Sequence, residues 1–301
     1  VTVYATPPLT SGSAAPTAPR SATVRDYVMC PPEHFDVQYA INVWMDPARP
    51  VDRDLAYRQW RDLRDVYERL GHRVRVLDPL PGLPDMVFAA NGSFVVGDHA
   101  LGARFRELVR EPEAPAHRSW LENAGVTVHA PTAVNEGEGD FAWAGTRILA
   151  GAGFRSDPAA HADLEATFGV PVVPLELVDP RFYHLDTALA VLDATTIAYY
   201  PPAFAPHSRE LLAEMYPDAV VATEQDALVL GLNAVSDGRH VVLAEQARDL
   251  AGAVAAVGFE PVPVDVSELL KAGGGVKCAT LELHRPAPAI IPASTTDEEH
   301  P

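Results

Sequence analysis

The 301-residue sequence predicts an α/β protein in which five strand-strand-helix-strand units circle a common axis. Three observations carry that prediction. Amphipathic helical segments followed closely by a short apolar strand recur five times. Hairpin-like segments with turn residues at their tips lie between them. Asn91, Asp140, His184, Asn233 and Cys278 occupy similar places in successive units, roughly 44 to 49 residues apart. An open mixed α/β sheet with coincidental spacing is the alternative these patterns leave standing.

Among the helices, Leu55 to Gly71 places Leu55, Leu63, Val66 and Leu70 at helical spacing, with charges opposite and Gly71 where a helix should stop. Similar patterns predict helices over 103–110, 117–125, 161–169, 208–216 and 244–258. Strands are predicted at 74–77, 126–129, 170–173, 219–222 and 259–264. Hairpins are predicted over 86–101, 140–150, 187–199 and 227–243, with turns at Asp98, Gly145, Asp193 and Asp237-Gly238. The last unit, 278–283, has a strand but no return before Pro286.

With 48% hydrophobic and 21% charged residues, the chain can bury one large core. A formal net charge of −18 excludes nucleic acid and anionic membrane as main partners, because both would be repelled at long range. It suits a small cationic partner, and equally suits simple solubility. Cys30 and Cys278 are the only cysteines, so no disulfide framework is built, and reduced thiols with a cytoplasmic address are expected. No run approaches the roughly 18 apolar residues a membrane helix needs. Residues 1–23, rich in Pro, Ala, Ser and Thr and without a signal-peptide pattern, are expected to form a disordered lead. A single catalytic domain over 24–286 and a disordered tail over 287–301 complete the division. Oligomeric state has no readable signal, which leaves a homo-oligomer open.

Four segments could carry chemistry. Gly273-Gly274-Gly275-Val276-Lys277-Cys278 sets a thiol at the start of a strand after a glycine run that lets backbone approach a ligand. In Phe182-Tyr183-His184-Leu185-Asp186, strand alternation would turn His184 and Asp186 to one face, as an acid/base pair or as two metal ligands. No further cluster completes a metal set, so neither metal nor cofactor is expected. Glu136-Gly137-Glu138-Gly139-Asp140 packs three carboxylates that, if turned inward, require a cation such as a guanidinium; a solvated acidic turn is the plainer reading. Leu83 to Gly92 reads as a turn, an apolar strand and an Asn91-Gly92 hairpin signal, while Asn42 interrupts the apolar run Ile41 to Met45.

In their order along the chain, Pro84-Asp85 to Asn91, the Glu136 to Asp140 segment, Arg155 in Gly151-Ala152-Gly153-Phe154-Arg155, His184-Leu185-Asp186 and Cys278 resemble the guanidino-group-modifying superfamily. That superfamily includes arginine deiminases, amidinotransferases, dimethylarginine dimethylaminohydrolases and arginine dihydrolases. The resemblance spans about Asp26 to Arg285, and the stretches Met29 to Asp36 and Ile41 to Met45 look closest to arginine dihydrolases and dimethylargininase-like proteins. It implies a five-bladed pseudo-symmetric α/β propeller. It also implies a small guanidino substrate, arginine or an N-methylated arginine, attacked by Cys278 with His184 as proton shuttle. A Glu of the acidic segment would hold the guanidinium together with Asp186, with Glu136 favoured over Glu138 as the catalytic carboxylate. Arg155 matches the arginine that grips the substrate carboxylate, and Asp85, Asn91, Glu138, Asp140, Asn42 and Arg118 complete the implied substrate set. Two departures stand out: Ala90-Asn91 replaces the acidic pair of dimethylargininases, and the acidic motif is one residue longer than Glu-Gly-Gly-Asp. The expected reaction is therefore arginine dihydrolase-like hydrolysis. Methylarginine hydrolysis, amidino transfer and non-catalytic binding are the alternatives.

Overall fold

The structure, a computed structural model, describes residues 20–285. The first strand and helix are β1 (Asp26–Met29) and α1 (Arg53–Arg69), followed by β2 (Arg73–Val76). A first unit follows, of β3 (Ser93–Val96), β4 (His99–Gly102), α2 (Glu113–Asn123) and β5 (Thr127–His129). The second is β6 (Phe141–Trp143), β7 (Ile148–Ala152), α3 (Ala160–Phe168) and β8 (Val172–Glu176). The third opens with the single turn α4 (Leu185–Ala188), then β9 (Leu189–Val191), β10 (Ile197–Tyr199), α5 (Pro206–Met215) and β11 (Val220–Val221). The fourth comprises α6 (Glu224–Ala227), β12 (Val235–Ser236), β13 (His240–Ala244), α7 (Arg248–Ala256) and β14 (Glu260–Val264), and the chain ends through α8 (Ser267–Leu270) and β15 (Leu281–His284).

Each unit pairs its first two strands antiparallel and its last two parallel, the helix providing the crossover that a parallel pair demands. The return strand missing from the last unit comes from the other end of the chain. Strand β15 pairs antiparallel with β1 (Tyr27 opposite Glu282), and β1 pairs parallel with β2 through α1. A further pairing of β15 with β3 joins this unit to the first in one six-stranded sheet, while the other units are separate three-stranded sheets. A cavity of about 720 Å³ is lined by Tyr27, Ala142, Ala190, Val235 and Glu282, which lie on strands of four different units.

Helix α1 shows how the sequence fixes an element. Asp52 caps it by accepting from Leu55 N at 2.9 Å, and Gly71 leaves it with φ of +88°. Its buried stripe, Ala56, Trp60, Leu63, Val66 and Tyr67, packs under the Cys278 region with Phe35, Phe88 and Val276. Removing each large side chain of that stripe from water contributes about 1.5–3 kcal/mol.

Three expectations are corrected. Residues 103–110 form no helix: Arg104 and Asn135 exchange backbone hydrogen bonds at 3.0 and 2.9 Å, which holds the start of the segment extended, 106–110 run through bends and a turn closed by Arg110 N to Glu107 O, and the helix starts only after Pro112. The Asn91-Gly92 pair is not a hairpin tip. It closes a 3₁₀ turn, Ala89–Gly92, and the hairpin turns at Gly97-Asp98. Cys278 likewise sits in a turn ahead of β15 rather than on a strand. Of the polar lead expected over 1–23, residues 20–23 are seated: Arg20 pairs with Asp193 and stacks on Phe259, and Thr23 N donates to Asp237 O. The rest of that lead and the tail expected over 287–301 lie outside the described residues.

Candidate active site

The glycine run before Cys278 is dictated by packing. A Cβ on Gly274 would overlap the Phe88 ring at 2.2 Å, so only glycine lets the loop lie against that side chain. The loop delivers Cys278 into a buried position, where its N–H donates to Asn233 Oδ1 at 2.9 Å. Asn233 Nδ2 donates back to the sulfur at 3.0 Å, and the thiol itself reaches Asp186 Oδ2 at 3.2 Å. Burial drives the Cys278 thiol well above its usual pKa, and the charge and hydrogen bond of Asp186 push the same way. The thiol is the resting form. Burial also raises Asp186, to about 6, against the opposing pull of His184 and Cys278.

His184 and Asp186 reach the site by a route that strand alternation did not foresee. His184 is extended, but Asp186 lies in the helical turn α4. His184 Nε2 lies 2.9 Å from Glu136 Oε2, and Arg155 Nη1 holds the same carboxylate at 3.1 and 3.2 Å while Nη2 donates to Ile41 O. Burial opposes ionisation of Glu136, yet Arg155 and His184 together hold its carboxyl well below the usual range. Glu136 is therefore a carboxylate engaged with a histidine and an arginine, not one free to hold a guanidinium as expected. Arg155, placed over the Tyr183 ring at 4.9 Å, is buried in that ion pair.

Several polar atoms around this centre are buried and have no partner among the described residues: Asp186 Oδ1, Asp140 Oδ2, Asp85 Oδ1, His184 Nδ1 and Asn91 Nδ2. Asp140 accepts from Leu185 N at 3.1 Å with its other oxygen, and its unpartnered oxygen lies 4.0 Å from His184 Nε2. Asp85 accepts from Tyr39 OH at 2.7 Å. Burial raises the pKa of both aspartates. Buried carboxylate oxygens without donors are costly, and a planar cation with N–H groups on every side is the ligand chemistry that would satisfy them. Asn91 is tied to Cys278 through backbone, since the neighbouring Ala90 N donates to Cys278 O at 3.1 Å.

Three expected contacts do not belong to this cluster. Arg118 is exposed on α2 and pairs with Glu122 one turn along at 2.8 Å. Glu138, two residues from Glu136, turns the other way, and Lys277, His284 and the backbone N of Glu282 take up its carboxylate. Asn42 spends its amide on the fold, accepting from Trp44 N and Met45 N and donating to Ala272 O at 3.0 Å. Conversely, sequence reasoning missed Arg110, Tyr39 and the role of Asn233. Only the repeat spacing pointed to Asn233. Arg110 is buried, chelates Glu113 at 2.8 and 2.9 Å and donates to Asn91 Oδ1 at 2.8 Å.

No family model matches the chain. It is 55% identical, over 91% of its length and 89% of the relative's, to an N(G),N(G)-dimethylarginine dimethylaminohydrolase of Mycobacterium tuberculosis. It is 35% identical to the bifunctional arginine dihydrolase/ornithine cyclodeaminase ArgZ of Synechocystis, over 90% of this chain but only 39% of that longer protein. The crystal structure of the ArgZ N-terminal domain bound to product, an arginine dihydrolase from cyanobacteria, superposes with a TM-score of 0.85 at 34% identity. That match covers 88% of this chain and all of that domain. With these likenesses spanning nearly the whole described fold and its buried thiol site, the chain belongs to the guanidino-group-modifying family of dimethylarginine dimethylaminohydrolases and arginine dihydrolases.

Proposed function

We propose that the chain is a cysteine-dependent hydrolase that cleaves a C–N bond at the guanidinium carbon of arginine and carries the reaction through citrulline to ornithine, ammonia and carbon dioxide. The observation that carries the reading is a buried thiol hydrogen-bonded to Asp186, whose second oxygen, like that of Asp140, has no partner among the described residues. A guanidinium seated there would neutralise both carboxylates. Its charge would also lower the cost of the thiolate, so the substrate itself activates Cys278.

In the first round the Cys278 thiol gives up its proton to His184 as its sulfur bonds to the guanidinium carbon. Protonated His184 gives its proton to the departing nitrogen, and ammonia leaves as the C–N bond breaks. Water deprotonated by His184 then attacks the thiouronium carbon, the C–S bond breaks, and citrulline is formed. In the second round the sulfur attacks the ureido carbon, a second ammonia departs, and hydrolysis leaves a carbamate that sheds carbon dioxide. Glu136, fixed by Arg155, orients His184 throughout. Asn91 suits the second round, because an amide can donate to a ureido oxygen that a carboxylate would repel.

The gathering of Asn91, Asp140, His184, Asn233 and Cys278 near one centre supports five units arranged around one axis as a propeller within a single catalytic domain. Two cysteines that are both buried and free suit a cytoplasmic setting. Among the described residues no helix is long and apolar enough to cross a membrane.

The identity to a protein named dimethylarginine dimethylaminohydrolase favours a second reading, hydrolysis of methylated arginine to citrulline and a methylamine by the same residues. Mass spectrometry of products from arginine and from asymmetric dimethylarginine separates the two. Ornithine from arginine is expected. Citrulline as the sole end product would remove the second round, and dimethylamine release with arginine untouched would install the second reading.

A further inference from the structure

The turn that carries Cys278 is met by a second turn, between α6 and β12, that carries Asn233. Three residues before Asn233, Leu230 has a φ of +51° and is the one residue other than glycine with positive φ among the described residues. A left-handed leucine is costly and persists only where its surroundings impose it. Gly231 follows, with its N donating to Asp226 O at 2.9 Å and no room for a Cβ against Ala247. Asn233 N then donates to Leu230 O at 3.0 Å, and the Asn233 side chain is buried beside Cys278. Every hydrogen-bonding group of its amide is used. Oδ1 accepts from Cys278 N at 2.9 Å, while Nδ2 donates to Asp186 O at 3.1 Å and to Cys278 Sγ at 3.0 Å. A backbone N–H only donates and a backbone carbonyl only accepts, so the amide lies in one sense and its second hydrogen has to face the sulfur. The thiol hydrogen is thereby turned to Asp186 Oδ2 at 3.2 Å. Asp186 and Tyr183 are the titratable groups set against the sulfur, and neither brings a positive charge. Lys277 spends its ammonium on Glu138, and His184 turns Nε2 to Glu136. Burial and Asp186 raise the thiol, and the backbone at Gly275 and the Asn233 amide oppose them.

We infer that Asn233 is the fixed donor that holds the Cys278 sulfur as a thiolate, positioning it both for bonding to carbon and for its later departure. The inference rests on Cys278 being the attacking group of the proposed hydrolase. In each round the sulfur carries negative charge twice: when its proton passes to His184, and when the C–S bond breaks and the electron pair returns to sulfur. A donor already in place at 3.0 Å stabilises both moments without rearrangement, as preorganised donors do wherever charge develops. The amide cannot turn away from the sulfur without unpairing Cys278 N or Asp186 O. One side chain therefore sets both the aim of the sulfur and the place of Asp186.

Thiolate formation can be read without substrate, from the rate at which iodoacetamide alkylates Cys278 across pH, with the modified peptide identified by mass spectrometry so that Cys30 does not contribute. Asn233→Leu keeps the volume and removes the donor. Asn233→Asp keeps an acceptor for Cys278 N, sets an oxygen where the N–H stood, and carries the test if the leucine variant does not fold. In either variant the alkylation profile is expected to move to the alkaline side by about one pH unit, roughly tenfold less thiolate at a given pH, the scale of one hydrogen bond to a charged group. With arginine, kcat should fall about 10–100-fold while KM stays within about threefold, because Asn233 touches neither Asp186 Oδ1 nor Asp140 Oδ2. A profile that stays in place overturns the inference, and a rise in KM alone would then show that Asn233 only seats Asp186. A Cys278 that no pH makes reactive overturns it too, since there is no thiolate to hold. Product analysis of the unaltered protein judges the hydrolase separately. Alkylation that follows Asn233 in a protein that turns over neither arginine nor dimethylarginine keeps the donor and discards the hydrolase, whereas turnover with an Asn233-independent profile does the reverse.

Discussion

Glu136 and Glu138 are separated by one glycine, are both buried, and end in opposite worlds. Glu136 faces the centre containing His184, Asp140 and Asp186, where carboxylate oxygens are left without donors among the described residues. Glu138 faces a second cluster in which Lys277, His284 and a backbone N–H saturate it, and where Arg25 and His284 flank Glu282 at 3.2 Å each. The difference teaches how to tell a working carboxylate cluster from a structural one. A closed network rigidifies, whereas an open one asks for a ligand.

The largest expected effect comes from the sulfur at the open cluster. Cys278→Ser should lower kcat on the order of 10⁴-fold or more while the protein still binds arginine, measured by product release and calorimetry. Next, Glu136→Gln should lower kcat/KM by about 10²–10⁴-fold, because His184 loses its anionic partner. Glu138→Gln is the counterpart at the closed cluster. It breaks a buried pair with Lys277 and His284, so it should cost about 3–5 kcal/mol of stability in chemical unfolding and change kcat far less than Glu136→Gln does. Equal kinetic damage from the two substitutions would erase the distinction.

The two clusters should also separate by pH. At the open one, Asp186 is raised to about 6, so kcat/KM should climb as pH rises through about 6, and Asp186→Asn should abolish that limb. At the closed one, burial opposes protonation of His284, but Glu282 and Glu138 raise it from 6.5 to about 9. A folded pKa above the unfolded one stabilises fully below about 6.5, and that contribution disappears as pH rises through about 9. Unfolding free energy should therefore drop across that window, and the drop should shrink in Glu138→Gln. The smallest effect belongs to Arg118→Ala, which removes an exposed helix pair and should leave kcat/KM within twofold and stability within about 0.5 kcal/mol.

Much of this was legible beforehand. The helix-then-strand periodicity located α1, α2, α3, α5 and α7 to within a few residues, since amphipathic spacing and terminal glycines are local signals. The ordered motifs named Cys278, His184, Glu136, Asp140 and Asp186, which the structure brings together. What failed was long-range. The direction of Glu138 depends on β15, some 140 residues away, and no local pattern states it. With 103–110 read as a helix, Arg110 was not among the expected site residues, whereas the exposed Arg118 was. Two clues were present in Arg110: its place just before the Pro112 helix start, and Glu113 three residues on, but both are common in surface turns. His184 and Asp186 reached the right place for an incorrect reason, because a helical turn rather than strand alternation aims Asp186.

The clasp between β1 and β15 has a consequence for the order of assembly. The sheet next to Cys278 is completed only when residues near 27 meet residues near 282, a contact between the earliest and latest synthesised parts of the described chain. Such a closure is slow and late in folding. A growing polypeptide can thus fold unit by unit, and the turn that carries Cys278 takes its final place only when β15 meets β1.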